Sequence, residues 1–276
     1  MNPYKPRVLA PNPEKVAKIT TILKEHALTT ICEEAACPNR SECYGRDVAT
    51  FMILGNTCTR ACRFCNVKTG KPSPPDPSEP ERIAKAIKAL NLSYVVITSV
   101  DRDDLKDFGA RHFAKCVLAI KSISPQTKIE LLTPDFKANT TALDIILSCD
   151  VDKLAHNQET IRQLTKRIRP QSDYERSLKV LKYYATYSNK PVKSSLMVGF
   201  GETKAQLLET MQDLYYAGVT QLTLGQYLQP TQRHHRVIKY YTQDFFDEMK
   251  EKAYLIGFKA VSSGILVRSS YFAEQL

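Results

Sequence analysis

Six cysteines in two triplets are the residues whose spacing could do chemistry. Cys58, Cys62 and Cys65 stand in Cys-Thr-Arg-Ala-Cys-Arg-Phe-Cys, and Cys32, Cys37 and Cys43 in Cys-Glu-Glu-Ala-Ala-Cys-Pro-Asn-Arg-Ser-Glu-Cys. Each triplet offers three thiolates, one short of the four that a cubane iron–sulfur cluster takes. A cube held by three thiolates keeps one iron open to a further ligand. Near the C-terminus Arg268-Ser269-Ser270-Tyr271 adds a pair of hydroxyls.

Zinc competes for the Cys58 triplet, but it prefers four protein ligands in paired Cys-x-x-Cys arrangements, and here a local fourth ligand is missing. Phe64, just before Cys65, could wall a nucleoside or simply join the core. For the Cys32 triplet the competing reading is buried free thiols. Its polar neighbours Glu33, Glu34, Asn39, Arg40, Ser41 and Glu42 show no apolar periodicity and favour a second cluster. The fourth ligand there could come from Cys116, Cys149 or a serine of the Arg-Ser-Ser-Tyr run. Cys116 falls among Phe113, Val117 and Ile120 at helical spacing, and Cys149 follows a helix, so both read as packing residues.

The elements that must position these groups alternate from residue 48 onward. Strands are expected at Val48–Leu54, Tyr94–Thr98, Ile129–Thr133, Asp152–His156, Val192–Val198 and Gln221–Gly225. Amphipathic helices are expected between them at Pro80–Leu90, Gly109–Ser122, Asn139–Ser148, Glu159–Ile168, Tyr174–Tyr187 and Lys204–Ala217, the last with Thr203 as N-cap. Six strand–helix repeats without hairpin signals imply right-handed parallel crossovers. The expected fold class is α/β, a partial (βα)6 TIM-like barrel with its reacting groups at the C-terminal ends of the strands. The expected organisation is an N-terminal extension over 1–47 carrying the Cys32 triplet and a helix at Glu14–His26, the barrel over 48–239, and a C-terminal segment over 240–276. That last segment holds a helix at Asp244–Ile256, a short strand-like run and the Arg-Ser-Ser-Tyr end. Five prolines between Pro72 and Pro80 stiffen the loop after Cys65.

Composition narrows the setting. A formal charge of +10 fits either a solubility surplus or an acidic partner. No block of five or more Lys and Arg appears, which argues against nucleic acid. No run approaches the roughly 18 apolar residues of a membrane span. Prolines at 3, 6, 11 and 13 with no apolar core region argue against a secretory signal. Eight cysteines in that context point to metal rather than disulfides, and to the cytoplasm.

The Cys-x3-Cys-x2-Cys spacing resembles the signature of the radical S-adenosylmethionine superfamily. That resemblance implies a 4Fe–4S cluster on Cys58, Cys62 and Cys65 whose open iron chelates the methionine moiety, and reductive cleavage that yields a 5′-deoxyadenosyl radical. Taken with Cys-x4-Cys-x5-Cys before it and Arg-Ser-Ser-Tyr after it, the pattern is similar to the lipoyl synthase family. Thr50–Val67 (TFMILGNTCTRACRFCNV), Thr98–Leu105 (TSVDRDDL), Thr133–Phe136 (TPDF), Gly225–Thr231 (GQYLQPT) and Val267–Tyr271 carry the likeness, which runs from Lys5 to Ala273.

The resemblance implies that Cys32, Cys37, Cys43 and Ser270 hold an auxiliary 4Fe–4S cluster, with Ser270 as its oxygen ligand. It implies a transferase that inserts two sulfur atoms at carbons 6 and 8 of an octanoyl-lysine, the auxiliary cluster being the sulfur donor. The implied partners are octanoylated lipoyl domains of 2-oxoacid dehydrogenase complexes or the glycine cleavage H protein, an electron donor and an iron–sulfur cluster carrier, with no nucleic acid and no membrane. Ser195–Glu202 (SLMVGFGE) resembles the family's Gly-x-Ile-x-Gly-x-x-Glu element, implying that Gly199 and Glu202 meet S-adenosylmethionine. Ser195 and Met197 depart from that pattern. Ala155 departs from the Asn-His-Asn expected before Glu-Thr, while His156 and Asn157 remain. Asp101, Arg102, Asp103 and Asp104 follow the second barrel strand as a charged run, and His234 and His235 are not read as metal ligands. A transfer-RNA methylthiolating enzyme would carry an added RNA-binding domain for which no residues remain. A zinc-stabilised nucleic-acid module would lack iron–sulfide colour.

Overall fold

The structure is a computed structural model and describes residues 13–35, 37, 39–45 and 49–276. Residues 1–12 of the N-terminal extension and Val48, expected to open the first barrel strand, lie outside the described residues. The chain divides into two compact units, one over described residues 13–60 and 67–154, the other over 61–66 and 155–276.

The first unit opens with helix α1 (Pro13–Glu25), which buries Ile19 and Leu23, four residues apart on one face. A two-residue strand β1 (Thr29–Thr30) leads into the short helices α2 (Ile31–Glu34) and α3 (Arg40–Gly45). Then follow β2 (Thr50–Ile53), the paired short strands β3 (Thr57–Cys58) and β4 (Lys68–Thr69), α4 (Glu79–Leu90), β5 (Tyr94–Ser99), α5 (Ala110–Ile123), β6 (Lys128–Leu132), α6 (Thr140–Leu147) and β7 (Lys153–Ala155). The strand order is β1-β2-β5-β6, antiparallel only between β1 and β2. β2 and β5 are buried on both faces, which is why Thr-Phe-Met-Ile and Tyr-Val-Val-Ile-Thr run apolar without alternation. On α4 the expected face of Ile83, Ala84, Ile87 and Leu90 is the buried one. Glu79 ties this layer together, since Oε2 accepts the Leu54 N–H at 2.9 Å and meets His112 Nε2 at 2.6 Å.

The second unit holds α7 (Arg162–Ile168), α8 (Tyr174–Tyr187), β8 (Val192–Val198), α9 (Lys204–Tyr216), β9 (Gln221–Gln226), α10 (Gln243–Ile256) and β10 (Ala260–Gly264). β8, β9 and β10 are consecutive parallel neighbours. β7 lies at the division: Asp152 N donates to Ile129 O in one unit, and His156 N to Lys193 O in the other, 2.9 and 3.1 Å. Thr203 caps α9 as expected, in a reciprocal box with Gln206.

The six expected barrel strands and their helices are present. The helix expected from Glu159 starts only at Arg162, because Glu159 takes a left-handed conformation (φ 69°) and bridges to Leu196 instead. β1, β3 and β4 had no sequence signal, being two residues each. No helix among the described residues is long and apolar enough to cross a membrane.

Candidate functional site

The N-terminal triplet is built from two short helices. Thr30 caps α2, its hydroxyl accepting the Glu33 N–H at 3.3 Å, and its Oγ1 lies 2.9 Å from the hydroxyl of buried Tyr44 on α3. Cys32 sits on α2, Cys43 on α3, and Cys37 between them, with Cys37 N bonded to Cys32 O at 3.0 Å and Cys43 N to Asn39 O at 2.9 Å. Cys32 and Cys43 are buried, a setting the polar sequence around them did not announce. Burial pushes the Cys32 thiol up to about 12, with Cys37 and Cys43 adding like-charge repulsion against hydrogen bonds from Thr50. Cys37 and Cys43 therefore both lie within electrostatic reach of Cys32, whose thiolate form calls for a cation beside it. That donor set fits an iron–sulfur group. Among the described residues no three His, Cys, Asp or Glu side chains close to the radius of a single ion. A cube gripped at its corners needs wider spacing than an ion does.

Cys58 ends β3 in the first unit. Its Sγ accepts the N–H groups of Asp101 at 3.3 Å and Arg60 at 3.4 Å and lies 3.9 Å from Asp101 Oδ2, so two backbone donors and one carboxylate oxygen face it. Arg60 then links three sequence motifs. Its guanidinium makes a bidentate pair with Asp103 (2.8 and 2.8 Å), a second with Asp135 (2.9 and 2.7 Å), and lies 3.3 Å from Asp101. Thr59 completes the fit, its hydroxyl donating to Asp101 O at 2.9 Å and accepting Asp103 N at 3.1 Å. The charged run after β5 is thus no solvated loop: Asp101 and Asp103 face Arg60, while Arg102, itself buried, clamps Asp104. Spacing gave no sign that Arg60 would be buried.

Cys62 and Cys65 belong to the second unit and are joined by a turn, Cys65 N to Cys62 O at 3.0 Å. Their loop is pinned along its length. Ala61 N donates to Gln171 Oε1 at 3.1 Å, Arg63 N to Ile168 O at 2.8 Å, and His235 N to Arg63 O at 2.8 Å. His234 Nε2 donates to the Cys65 carbonyl at 3.0 Å, and its Nδ1 lies 2.9 Å from the Thr231 hydroxyl. His234 and His235 are thus hydrogen-bonding residues, and the run from Gly225 to Thr231 that leads into them was the available signal. Phe64 packs with Phe200, Tyr227 and Ile168, its ring centroid 6.3 Å from that of Phe200. Cys116 is fully buried on α5, and burial pushes the half-buried Cys149 thiol up to about 11, so both behave as packing residues.

After β8 the chain turns sharply. Glu202 accepts the Gly199 N–H at 2.7 Å and the Phe200 N–H at 2.9 Å, so both of its oxygens shape the turn. Gly199 has φ 114°, and a Cβ there would stand 2.3 Å from Gln226 Nε2, so only glycine fits. Inside this unit several polar groups are buried without partners among the described residues: both amide atoms of Gln158, and the hydroxyls of Thr160 and Thr223. Arg169 donates to Gln158 O at 3.2 Å, while its Nε has no partner there. Burial raises the Glu159 carboxyl, and Arg169 and Asn157 pull it back. Orphaned polar atoms in a folded interior call for a polar ligand, so these residues fit a cofactor rich in amine, carboxylate and hydroxyl groups. Gln158 carried no signal beyond its place in Ala155–Thr160. Ser270 is half-buried in a turn closed by Tyr271 N and Arg268 O at 3.0 Å.

Comparison with known proteins agrees with this geometry. Residues 52–214 match the Radical SAM superfamily. The lipoyl synthase of Nitrosomonas eutropha is 49% identical over 271 residues, 98% of this chain and 86% of that one. That of Caldicellulosiruptor saccharolyticus is 49% identical over 263 residues, covering 95% of this chain and 92% of its own. In structure the chain is similar to Streptococcus suis SuiB bound to S-adenosylmethionine (TM-score 0.62, 13% identity), covering 81% of this chain and only 53% of that one. It is also similar to methylornithine synthase PylB (TM-score 0.58, 12% identity, 95% and 81% covered). At such identity these structures speak for the fold, the α/β partial barrel expected from the strand–helix count. The fold, the paired thiol triplets and the long match at 49% identity agree: this chain belongs to the radical SAM superfamily and, within it, to the lipoyl synthase family.

Proposed function

We infer that this protein is a lipoyl-forming sulfurtransferase. It inserts two sulfur atoms, at carbons 6 and 8, into a protein-bound octanoyl-lysine, using S-adenosylmethionine and two 4Fe–4S clusters. The observation that carries the reading is the pair of cysteine triplets lying in a chain 49% identical, over 98% of its length, to a lipoyl synthase.

Cys58, Cys62 and Cys65 would hold the cluster that meets S-adenosylmethionine, and Cys32, Cys37, Cys43 and Ser270 the auxiliary one. One cluster supplies reducing electrons for adenosylmethionine cleavage, the other sulfide for insertion. The protein's own groups do the holding. Backbone N–H groups of Asp101 and Arg60 support the Cys58 sulfur, and Arg60 fixes that loop against three carboxylates. His234 fixes the carbonyl of Cys65. Glu202 and Gly199 set the turn after β8, and we assign that turn and the unpartnered groups of Gln158, Thr160 and Thr223 to S-adenosylmethionine. Serine oxygen suits iron in a cluster less well than thiolate does, which fits Ser270 as a ligand that can be released.

The proposed partners are octanoylated lipoyl domains of 2-oxoacid dehydrogenase complexes or the glycine cleavage H protein, an electron donor and a cluster carrier, with neither nucleic acid nor membrane involved. Eight cysteines in two cluster-spaced triplets and two packing positions support a reducing compartment, the cytoplasm. By role the chain divides into 1–47 for the auxiliary cysteines, 48–239 for the barrel and 240–276 for the serine-bearing segment. The test is anaerobic incubation of reconstituted protein with an octanoylated lipoyl-domain peptide, S-adenosylmethionine and dithionite. In this reducing mixture the peptide should gain two sulfur atoms by mass, as the dithiol, and lose two hydrogens only when later oxidised to the cyclic disulfide; a peptide of unchanged mass rejects the reading.

A further inference from the structure

Three arginines crowd the solvent side of the Cys62–Cys65 loop. Arg63 lies within the loop, Arg167 precedes Ile168, whose carbonyl accepts the Arg63 N–H, and Arg236 follows His235, whose N–H donates to the Arg63 carbonyl, both at 2.8 Å. Those two backbone bonds bring three distant stretches of sequence to one spot. His235 stands among them, accepting at Nε2 from Arg167 Nη2 at 3.0 Å and donating from Nδ1 to Arg236 O at 2.8 Å. Only a neutral imidazole makes that pair of bonds. Burial, and then the charges of Arg167, Arg63 and Arg236 against one opposing backbone hydrogen bond, keep its pKa below the ordinary histidine value.

All three arginines are exposed, and none has an ion-pair partner among the described residues. Arg60, Arg82, Arg102 and Arg162, by contrast, each face a carboxylate. Three like charges held together without a counter-charge repel one another, and an acidic partner relieves that cost. The next residue, Phe64, turns inward onto Phe200, so the loop has an aromatic inner side and a cationic outer side.

We propose that Arg63, Arg167 and Arg236 form the docking surface for an acidic one-electron carrier protein that reduces the cluster on this loop. The proposal rests on the reading that Cys58, Cys62 and Cys65 hold that cluster. In the step, one electron leaves the reduced centre of the carrier and enters the cluster. The carrier is oxidised by one electron, and no atom or group is transferred. The outer side of the loop suits an electron donor better than the acylated substrate. An electron needs only closeness to the iron, whereas an acyl chain needs an open path, and Phe64 with its packed neighbours stands behind these arginines.

The test uses full-length reconstituted protein and, as probe, a reduced acidic plant-type [2Fe–2S] ferredoxin, followed anaerobically by stopped-flow absorbance. The variants are Arg63→Glu with Arg236→Glu, whose side chains make no hydrogen bond among the described residues, and the milder Arg63→Gln with Arg236→Gln. Lys88→Glu on α4 is the control. The double reversal should slow reduction by ferredoxin about 10- to 100-fold at low salt, with the gap narrowing at high salt. The Gln pair should fall between, and ferredoxin binding by titration should weaken in the same order. Reduction by dithionite and the KM for octanoylated peptide should stay at the wild-type values. Wild-type rates with ferredoxin in both double variants would overturn the proposal. So would a raised KM for octanoylated carrier with ferredoxin kinetics unchanged, since the arginines would then be the substrate's surface. If dithionite reduces no cluster even in the wild type, the cluster reading itself falls and takes this proposal with it.

Discussion

Gly225 lies directly beneath the carbonyl of Val267: a Cβ built on the glycine would stand 2.0 Å from Val267 O and 3.2 Å from Arg268 Nη1. β9 therefore carries a bare backbone where the segment leading to Ser270 crosses it. Gly225→Ala forces that segment away, because the obstacle is main chain and cannot swing aside. The strain of such overpacking is about 1–3 kcal/mol. Anaerobically reconstituted wild type should carry about eight irons per chain, two cubes of four. Gly225→Ala should fall toward about four, as should Ser270→Ala, while the spectral response of the remaining cluster to S-adenosylmethionine persists. Full iron in both variants would separate Ser270 from cluster binding.

The Arg60 clamp gives a stability prediction that needs no cluster. Asp135 is buried and faces Arg60 through two hydrogen bonds, with Asp103 making two more. Arg60→Lys keeps the charge but cannot span two carboxylates as a planar fork. Removing one partner of a buried pair typically costs about 3–5 kcal/mol, and the Lys variant, retaining charge, should lose less than Arg60→Ala. Urea unfolding of the cluster-free protein measures both. Equal stability of wild type and Arg60→Ala would show that the clamp contributes nothing net.

Much of this arrangement was legible beforehand, and the reasons differ by element. The strands expected at Tyr94–Thr98 and Val192–Val198 are present, the first running one residue further to Ser99, because apolar runs bounded by turn residues leave few alternatives. The cysteine spacings gave the chemistry because cluster ligation depends on residue type and short loop geometry. Arg60 escaped notice because its three carboxylates are 41, 43 and 75 residues away in sequence, and an arginine between cysteines looks like any surface cation. The Glu159 start of a helix failed for a local reason. Its positive φ and its bridge to Leu196 follow from the parallel pairing of β8, which periodicity does not encode.

His235 gives a pH dependence with a definite sign. Its pKa in the folded protein is lowered from 6.5 by burial, with Arg167, Arg63 and Arg236 adding to the effect. As pH falls below about 6.5, the unfolded chain takes up a proton that the native protein declines, so stability is present above that value and lost beneath it. His235→Gln keeps an acceptor for Arg167 and cannot take up the proton. Its stability should decline less steeply than the wild type's from pH 6.5 downward, read from urea midpoints at a series of pH values. Parallel profiles would mean that another group governs the acid limb.

Glu202 offers a test of how the turn after β8 serves its ligand. Both carboxylate oxygens are engaged by the N–H groups of Gly199 and Phe200, at 2.7 and 2.9 Å. Glu202→Gln turns one acceptor into an NH2 facing a backbone N–H, leaving a buried donor unsatisfied at a cost of about 1–3 kcal/mol. The turn should loosen, and with it the Phe200 ring that stacks on Tyr227 at 4.3 Å and packs near Phe64 in the cysteine loop. Binding of S-adenosylmethionine should weaken about tenfold, while Glu202→Asp, too short to reach both amides, should weaken it further still. Equilibrium dialysis on the reconstituted protein reads this without turnover. If Glu202→Gln weakens binding but leaves thermal stability untouched, Glu202 touches the cofactor itself; if both fall together, it acts by holding the turn.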